Sequence, residues 1–269
     1  MAFNEDTRVK IPAILHLYCL GYEYLSLKTA VKDDRTNIFT DIFKESIERI
    51  NPNLENIDTQ RLLEDINLEL DFEDLGQSFY RRLLDTSHIK LIDFNDFENN
   101  AFHVVTELSC TNGEDNFRPD ITLLINGMPL AFIEVKKPNN QNGIIAEKER
   151  IDARFINKKF RKFINIAQIL VFSNNMEYDS NDKIPIQGAF YATTASEKVI
   201  FHSFREEEDL NIEKKMRQAT DNTQLTVLKD NNLVVIKSNK EFIENQNPNS
   251  PTNRLLSSLF LKERLAFFA

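Results

Sequence analysis

One predicted hydrophobic hairpin carries charged residues whose types and spacing could do chemistry. Its sequence, FRPDITLLINGMPLAFIEVKKPNN (residues 117–140), has Asp120 near its start and Glu134 and Lys136 near its end. Charges inside a buried strand are costly unless something pairs with them or uses them. Two neighbouring carboxylates repel unless a hard cation neutralises them, and Mg²⁺ accepts one or two carboxylates with waters and phosphate oxygens. The pattern therefore predicts metal-assisted hydrolysis of a phosphodiester.

The register of this hairpin decides whether the charges can meet. Side chains alternate along a strand, so Glu134 and Lys136 share a face. A strict two-residue loop at residues 126–127 would set Asp120 opposite Ile133, on the face away from Glu134. We therefore predict a three-residue loop or one bulge that brings Asp120 across from Glu134.

Within such a site, each group has an expected role and an ordinary alternative. Asp120 and Glu134 would hold the metal, and the backbone carbonyl of Val135 could add an oxygen ligand. Lys136 could orient or deprotonate a water and stabilise the charge that grows on the phosphorane. Alternatively, Asp120 caps a strand and Glu134 pairs with Lys136 on a solvated face. Two adjacent apolar strands followed by a basic helix favour the site.

Charge distribution limits the partners of the chain. The 269 residues carry a net charge of −9, which argues against a stand-alone, high-affinity nucleic-acid binder. Residues 136–162, however, contain nine Lys and Arg against three Asp and Glu. These basic side chains could contact DNA phosphates or form a solvated helix face; they include Lys137, Arg150, Arg154, Lys158, Lys159, Arg161 and Lys162.

The order of predicted elements indicates an α/β protein. Helical spacing is found at 7–20, where Gly21 is a plausible stop, at 37–50, at 58–84 and in a basic amphipathic helix at 144–166. Strands are predicted in YEYLSLKTA, FHVVTELSC, ITLLI, LAFIEV, QILVFSNN, GAFYATT and VIFHSF. After residue 237, a polar linker and an amphipathic helix without a stop signal suggest the N-terminal piece of a longer chain.

The remaining features of the sequence bear on location. The longest apolar run, IPAILHLYCLGY, is too short to span a bilayer, and the N-terminus does not resemble a secretory signal. Cys19 and Cys110 lie in apolar contexts without metal-ligand spacing, which predicts buried thiols in a reducing compartment. We therefore expect a cytoplasmic protein that makes no membrane contact.

The charged hairpin resembles the core of PD-(D/E)XK nucleases, through Pro119-Asp120 and Glu134-Val135-Lys136. The wider chain is similar to the N-terminal domain of type I restriction enzyme R subunits. That similarity is carried, in order, by NEDTRVKIPAILHLYCLGYEYLSLK, the hairpin, QILVFSNNMEY, FYATT, FHSFREE and SPTNRLLSSLFLKERL. The resemblance implies a restriction-endonuclease-like core, with a mixed central sheet flanked by helices and an added helical region at about 40–90. It also implies an endonuclease domain at 1–237, and at 238–269 a linker and first helix leading into a motor domain.

The same resemblance implies further site residues. Glu5 matches an acidic residue that lines the metal site, although an acid at a helix start is also favoured by the helix dipole. Gln168 matches a Gln that helps to position the scissile strand. Phe172 stands where the family pattern has Tyr, so we expect Phe172 in the core.

Finally, the resemblance implies the biological setting. The expected activity is cleavage of double-stranded DNA with Mg²⁺, or Mn²⁺ as a substitute, in a complex with methylation and specificity subunits. ATP and S-adenosylmethionine would act only in the holoenzyme. Because the chain has no G-x-x-x-x-G-K phosphate-binding loop, ATP hydrolysis is expected beyond residue 269. One alternative is a catalytically degenerate nuclease fold that serves as a docking module of a DNA-processing complex. Another is a free-standing nuclease.

Overall fold

A mixed β-sheet with helices on both faces organises the chain. The computed structural model describes residues 9–112, 115–137, 146, 149–154, 157–176, 188–193, 202–203, 224–229 and 232–237. The helices are α1 (Ile11–Cys19), α2 (Thr40–Ile50), α3 (Thr59–Glu69), α4 (Gln77–Leu84), α5 (149–154) and α6 (Arg161–Ile166). The strands are β1 (Glu23–Tyr24), β2 (Phe102–Thr106), β3 (Cys110–Asn112), β4 (Asp115–Phe117), β5 (Ile121–Ile125), β6 (Met128–Val135), β7 (Ile169–Ser173), β8 (Ala189–Thr193), β9 (His202–Ser203), β10 (Gln224–Lys229) and β11 (Asn232–Lys237).

The central sheet has the strand order β1-β2-β5-β6-β7-β8-β9. The pairs β1–β2 and β6–β7 are parallel, and the other neighbours are antiparallel. A parallel pair needs a crossover connection, and the segment between β6 and β7 contains α5 and α6. The predicted α/β class, with a mixed sheet flanked by helices, is confirmed.

Alternation along β6 separates two hydrophobic cores. Ile133 and Val135 belong to the larger core, together with buried side chains of α1, α2, α3 and α4. Phe132 points the other way and joins a second core with Ile151 of α5 and side chains of α6. In this core Phe132 stacks on Phe163, with ring centroids 5.6 Å apart. The sheet is therefore covered on both sides, and the strand positions between the cores are fixed.

The turn between β5 and β6 is set by Asn126 and Gly127. Both residues have positive φ angles, 51° and 79°, as a tight hairpin turn that follows the twist of its strands requires. A Cβ atom on Gly127 would lie 2.6 Å from the carbonyl oxygen of Phe39, just before α2. The Asn126 side chain is buried, accepts from the backbone N–H of Ala101 and donates to the carbonyl of Leu91. The hairpin tip is thus locked against its neighbours.

The predicted irregularity is a β-bulge within this hairpin. Ile125 pairs with Met128, as a two-residue turn demands, but Ile121 pairs with Ile133 because the register shifts by one residue between Leu123 and Leu124. One extra residue on β6 absorbs the shift. Continuing the shifted register brings Asp120 across from Glu134, as predicted.

Several other elements differ from their sequence-based predictions. The strand predicted after Gly21 is only two residues long, and the one predicted at 102–110 stops at Thr106. The helix predicted at 144–166 is interrupted at Asn157, whose side chain accepts from the backbone N–H of Lys159. The hairpin of β10 and β11 was not predicted.

Some predictions fall only partly within the described residues. Helices α2, α3 and α4 occupy 40–84, in agreement with the helical patterns there. That these helices are an addition to a nuclease core stays a prediction. Glu5 and the helix predicted after residue 237 lie outside the described residues, and the domain boundary at 237 stays a prediction.

The two cysteines have different surroundings, although the sequence predicted two buried thiols. Cys110 is buried, and burial raises the pKa of its thiol to about 12. Cys19 is exposed at the end of α1, where its thiol donates to the carbonyl of Leu15. The prediction was wrong for Cys19 because an apolar neighbourhood in sequence does not fix the helix face on which a residue lies. Among the described helices, none combines the length and apolarity needed to cross a membrane.

Candidate active site

Asp120 joins the ends of two central strands. It directly precedes β5, and its Oδ2 accepts a hydrogen bond of 2.9 Å from the backbone N–H of Val135, the last residue of β6. Val135 is fully buried, so this bond satisfies a donor that water cannot reach. The other carboxylate oxygen, Oδ1, takes no part in this bond.

Glu134 and Lys136 complete the predicted group. Only 5% of Glu134 is exposed. Lys136 Nζ lies 3.6 Å from Glu134 Oε2 and 3.9 Å from Asp120 Oδ2, so one ammonium bridges both carboxylates. The backbone N–H of Lys136 donates to the carbonyl of Ser173, which extends the pairing of β6 with β7 and fixes the lysine backbone. The structure therefore brings together all three residues that the hairpin predicted.

Arg154 enters the site from α5. Its Nη1 lies 3.8 Å from Glu134 Oε1, and its guanidinium carbon lies 3.9 Å from the centre of the Phe117 ring. A guanidinium over an aromatic face gains a favourable electrostatic contact. The sequence placed Arg154 among possible DNA contacts, and the structure places it beside a buried carboxylate.

Three residues that the sequence did not single out lie beside Asp120 or in contact with its neighbours: Lys10, Glu107 and Arg118. Lys10, just before α1, forms an ion pair with Glu107 Oε1, and its Nζ lies 3.6 Å from Asp120 Oδ1. Arg118 Nε lies 2.6 Å from Glu107 Oε2. Only the non-local pairing of β2 with β5 could have indicated Glu107, because that register continues from Thr106 and Ile121 to Glu107 and Asp120. Lys10 carried no local signal.

The donor set fits a small hard cation. Within the described residues, no group of three or more His, Cys, Asp or Glu could hold a metal. The candidate site instead has two carboxylates, Asp120 and Glu134, and the Val135 carbonyl could add a third oxygen ligand. Mg²⁺ is commonly bound by one or two carboxylates, with waters and substrate phosphates completing the shell. Three cationic side chains, Lys10, Lys136 and Arg154, lie within 4 Å of these carboxylates.

Gln168 directly precedes β7, and Phe172 lies on β7, where it pairs with Glu134. Gln168 is buried, and its Nε2 donates to the carbonyls of Asn165 and Ile166 at the end of α6. Its amide thus satisfies helix-end acceptors, and its Oε1 has no hydrogen-bond partner within the described part of the chain. Phe172 is buried and stacks on Phe190, which confirms the expected core position.

The basic residues divide into two groups. Lys137 and Arg150 are exposed near the site. Lys158 Nζ lies 3.0 Å from Glu73 Oε1, and Arg161 contacts the same carboxylate. Lys162 donates to the side chain of Asn67 on α3. The second group therefore makes contacts that tie the crossover segment to the helical region.

The sequence also matches a described protein family. The family model for the type I restriction enzyme R protein N terminus matches residues 2–185, which include the hairpin and every residue of the candidate site. The chain belongs to this family. The resemblance to the N-terminal domain of type I restriction enzyme R subunits is therefore confirmed.

Individual relatives extend the comparison. An archaeal protein from Methanocaldococcus jannaschii, provisionally named type I restriction enzyme MjaIXP endonuclease subunit, is 30% identical over 198 residues. The alignment covers 65% of this chain and 19% of that relative. The type I restriction enzyme HindI endonuclease subunit of Haemophilus influenzae is 27% identical over 118 residues, covering 38% of this chain and 11% of the relative. The chain thus spans about a fifth or less of these relatives.

Proposed function

We propose that this R-protein N-terminal region is a metal-dependent endonuclease domain that hydrolyses DNA phosphodiester bonds. The observation that carries the proposal is the bulge in β6, which brings Asp120 across from Glu134 with Lys136 between them. A solvated strand face would not need a bulge at this point. On this proposal, the sheet is a restriction-endonuclease-like core of the PD-(D/E)XK type.

The proposed cofactor is Mg²⁺, with Mn²⁺ as a substitute. Asp120, Glu134 and the carbonyl of Val135 would hold it, and Glu5 is a further proposed ligand. When bound, such an ion polarises the phosphate and makes a coordinated water more acidic. Asp120 is held through the bond from the Val135 N–H to its Oδ2, while its Oδ1 lies 3.6 Å from Lys10 Nζ.

Lys136 is the proposed partner of the attacking water. Its ammonium lies within 4 Å of both carboxylates, and this proximity supports a role beside the reacting phosphate. There it would orient the water and offset the negative charge that develops in the transition state. Gln168 is proposed to help position the scissile strand, a role supported by its location at the start of β7.

The proposed setting is a larger assembly. We propose that cleavage follows ATP-driven translocation by motor domains outside this chain, with methylation and specificity subunits and S-adenosylmethionine in the holoenzyme, acting on double-stranded DNA in the cytoplasm. The names of the relatives, and the small share of their length that this chain spans, support this proposal.

The decisive experiment replaces one carboxylate in the full-length R subunit, assembled with its partner subunits. Glu134→Gln should abolish DNA cleavage while leaving ATP-driven translocation unchanged, because only the nuclease site loses a ligand. Glu64→Gln is a matched control, since this exposed carboxylate on α3 pairs with Arg35 instead. Cleavage that survives in Glu134→Gln would refute the catalytic assignment and favour the docking module.

A further inference from the structure

Lys10 and Glu107 form an ion pair beside the proposed cation ligand Asp120. Lys10 is 8% exposed, so its ammonium must be neutralised within the protein. It could satisfy this need at Glu107 or at Asp120. In the structure the Lys10 ammonium pairs with Glu107. It lies 3.6 Å from Asp120 Oδ1, beyond ordinary hydrogen-bonding distance.

The backbone of Glu107 is shaped for this contact. Its φ angle is +58°, a left-handed conformation that costs a non-glycine residue free energy and tends to occur at functional sites. The backbone N–H of Glu107 donates to the carbonyl of Asp120 at 3.2 Å, which fixes the two residues side by side. Arg118 contacts the other carboxylate oxygen of Glu107. The glutamate is thus held at both its backbone and its side chain.

The resulting charges alternate across the site. In order, they are Arg118, Glu107, Lys10, Asp120, Lys136, Glu134 and Arg154. A divalent cation at Asp120 Oδ1 would meet Lys10 as its nearest competitor, because like charges repel strongly at short range. The contact that restrains Lys10 therefore affects the affinity of Asp120 Oδ1 for a cation.

We propose that Glu107 is a positioning residue of the cation site, which acts by holding the Lys10 ammonium off Asp120 Oδ1. Lys10 balances the carboxylates before the cation arrives, and Glu107 retains the lysine when the cation binds. This inference rests on the proposed metal-dependent function and adds two residues to it.

The test is a double-mutant cycle read out by Mn²⁺ affinity, without DNA or nucleotide. The intact R subunit is titrated with Mn²⁺ by calorimetry, and Asp120→Asn identifies the binding that depends on this site. Glu107→Gln should weaken that binding about tenfold, a coupling within the range that contacting charges show in such cycles. Lys10→Met should tighten it, since the competing ammonium is gone.

The double variant, Lys10→Met with Glu107→Gln, distinguishes two ways in which Glu107 could act: by positioning Lys10, or through the electric field of its own charge. If Glu107 acts through Lys10, adding Glu107→Gln to Lys10→Met should change the Mn²⁺ affinity by less than about twofold. Equal weakening in both backgrounds would overturn the inference, because Glu107 would then act only through its own charge. An unchanged affinity in the single Glu107→Gln variant would overturn it as well.

Two controls keep the outcomes distinct. Thermal unfolding of each variant establishes that it is folded, and Glu107→Asn replaces Glu107→Gln if needed, because Asn tolerates the left-handed backbone better. If the wild type shows no Mn²⁺ binding that Asp120→Asn removes, the proposed metal site fails together with the inference. If that binding is present but insensitive to Glu107, only the inference fails.

Discussion

The Asp120 carboxylate makes a structural hydrogen bond with one oxygen and lies at the proposed metal site with the other. Its Oδ2 accepts the buried N–H of Val135, while its Oδ1 lies toward Lys10. Capping the end of β6, the alternative role for Asp120, is compatible with the proposed metal-binding role. The same hydrogen bond that caps the strand also orients the carboxylate. The other alternative, a solvated face, conflicts with the burial of Glu134.

This double position leads to a prediction on stability. Asp120→Ala should lower the free energy of unfolding by about 1–3 kcal/mol, because the buried Val135 N–H loses its acceptor. Asp120→Asn retains a carbonyl oxygen and should cost less. Urea unfolding of both variants in the absence of metal gives the comparison. Equal losses would mean that the hydrogen bond is not what stabilises the strand ends.

At the scale of elements, β6 matters most because its bulge selects the face on which the site forms. The turn at Asn126 and Gly127 fixes one end of the hairpin, and the shifted register fixes the other. The neighbouring strand β2 contributes in a different way. It ends at Thr106, where the left-handed backbone of Glu107 turns a carboxylate toward Lys10.

β2 also carries a histidine that should make stability depend on pH. Burial lowers the pKa of His103 below its usual 6.5, Glu23 of β1 opposes this, and Arg49 of α2 adds to it. A lowered pKa means that the unfolded chain binds the proton more readily, so the contribution is present above about pH 6.5 and is lost as the pH falls through the folded value. The wild type should therefore lose more stability than His103→Gln between pH 7 and 5. Urea unfolding at several pH values measures this difference, and parallel pH profiles would contradict it.

At the scale of the whole molecule, an acidic chain presents a local basic surface. The net charge is −9, yet the segment from β6 to α6 is rich in Lys and Arg. Part of that charge is used internally, since Glu73 contacts both Lys158 and Arg161. Fewer of these cations than the sequence count suggests therefore contribute to the surface that is proposed to meet DNA.

Basic residues near the proposed active site should contribute more to DNA affinity than those paired with the helical region. Replacing Arg150 by Gln should weaken duplex binding and reduce its salt dependence by about one counterion. Lys158→Gln, a matched loss of one charge, should have less effect, because Lys158 contacts Glu73 of the helical region whereas Arg150 lies one turn before Arg154 in α5. Binding of the R subunit to a short duplex across a salt series provides the measurement. A larger effect from Lys158→Gln would contradict the assignment.

By itself, the sequence determined the features that depend on local pattern. Alternation identified the central strands, the Asn-Gly pair identified the turn, and the need to pair Asp120 with Glu134 required the bulge. Apolar spacing also located the helices of 40–84, although the break at Asn157 in the helix predicted at 144–166 was missed. The family resemblance rested on the same short motifs.

Only the tertiary structure decided which distant charges complete the site. Lys10 and Glu107 are 97 positions apart, and Arg154 reaches Glu134 from a helix within the crossover between β6 and β7. No local propensity encodes such contacts, because they follow from strand order and helix packing. Exposure of Cys19 and internal pairing of Lys158 had the same origin. Burial and ion pairing depend on what the rest of the chain brings alongside, so they exist only once the sheet and its two layers of helices have formed.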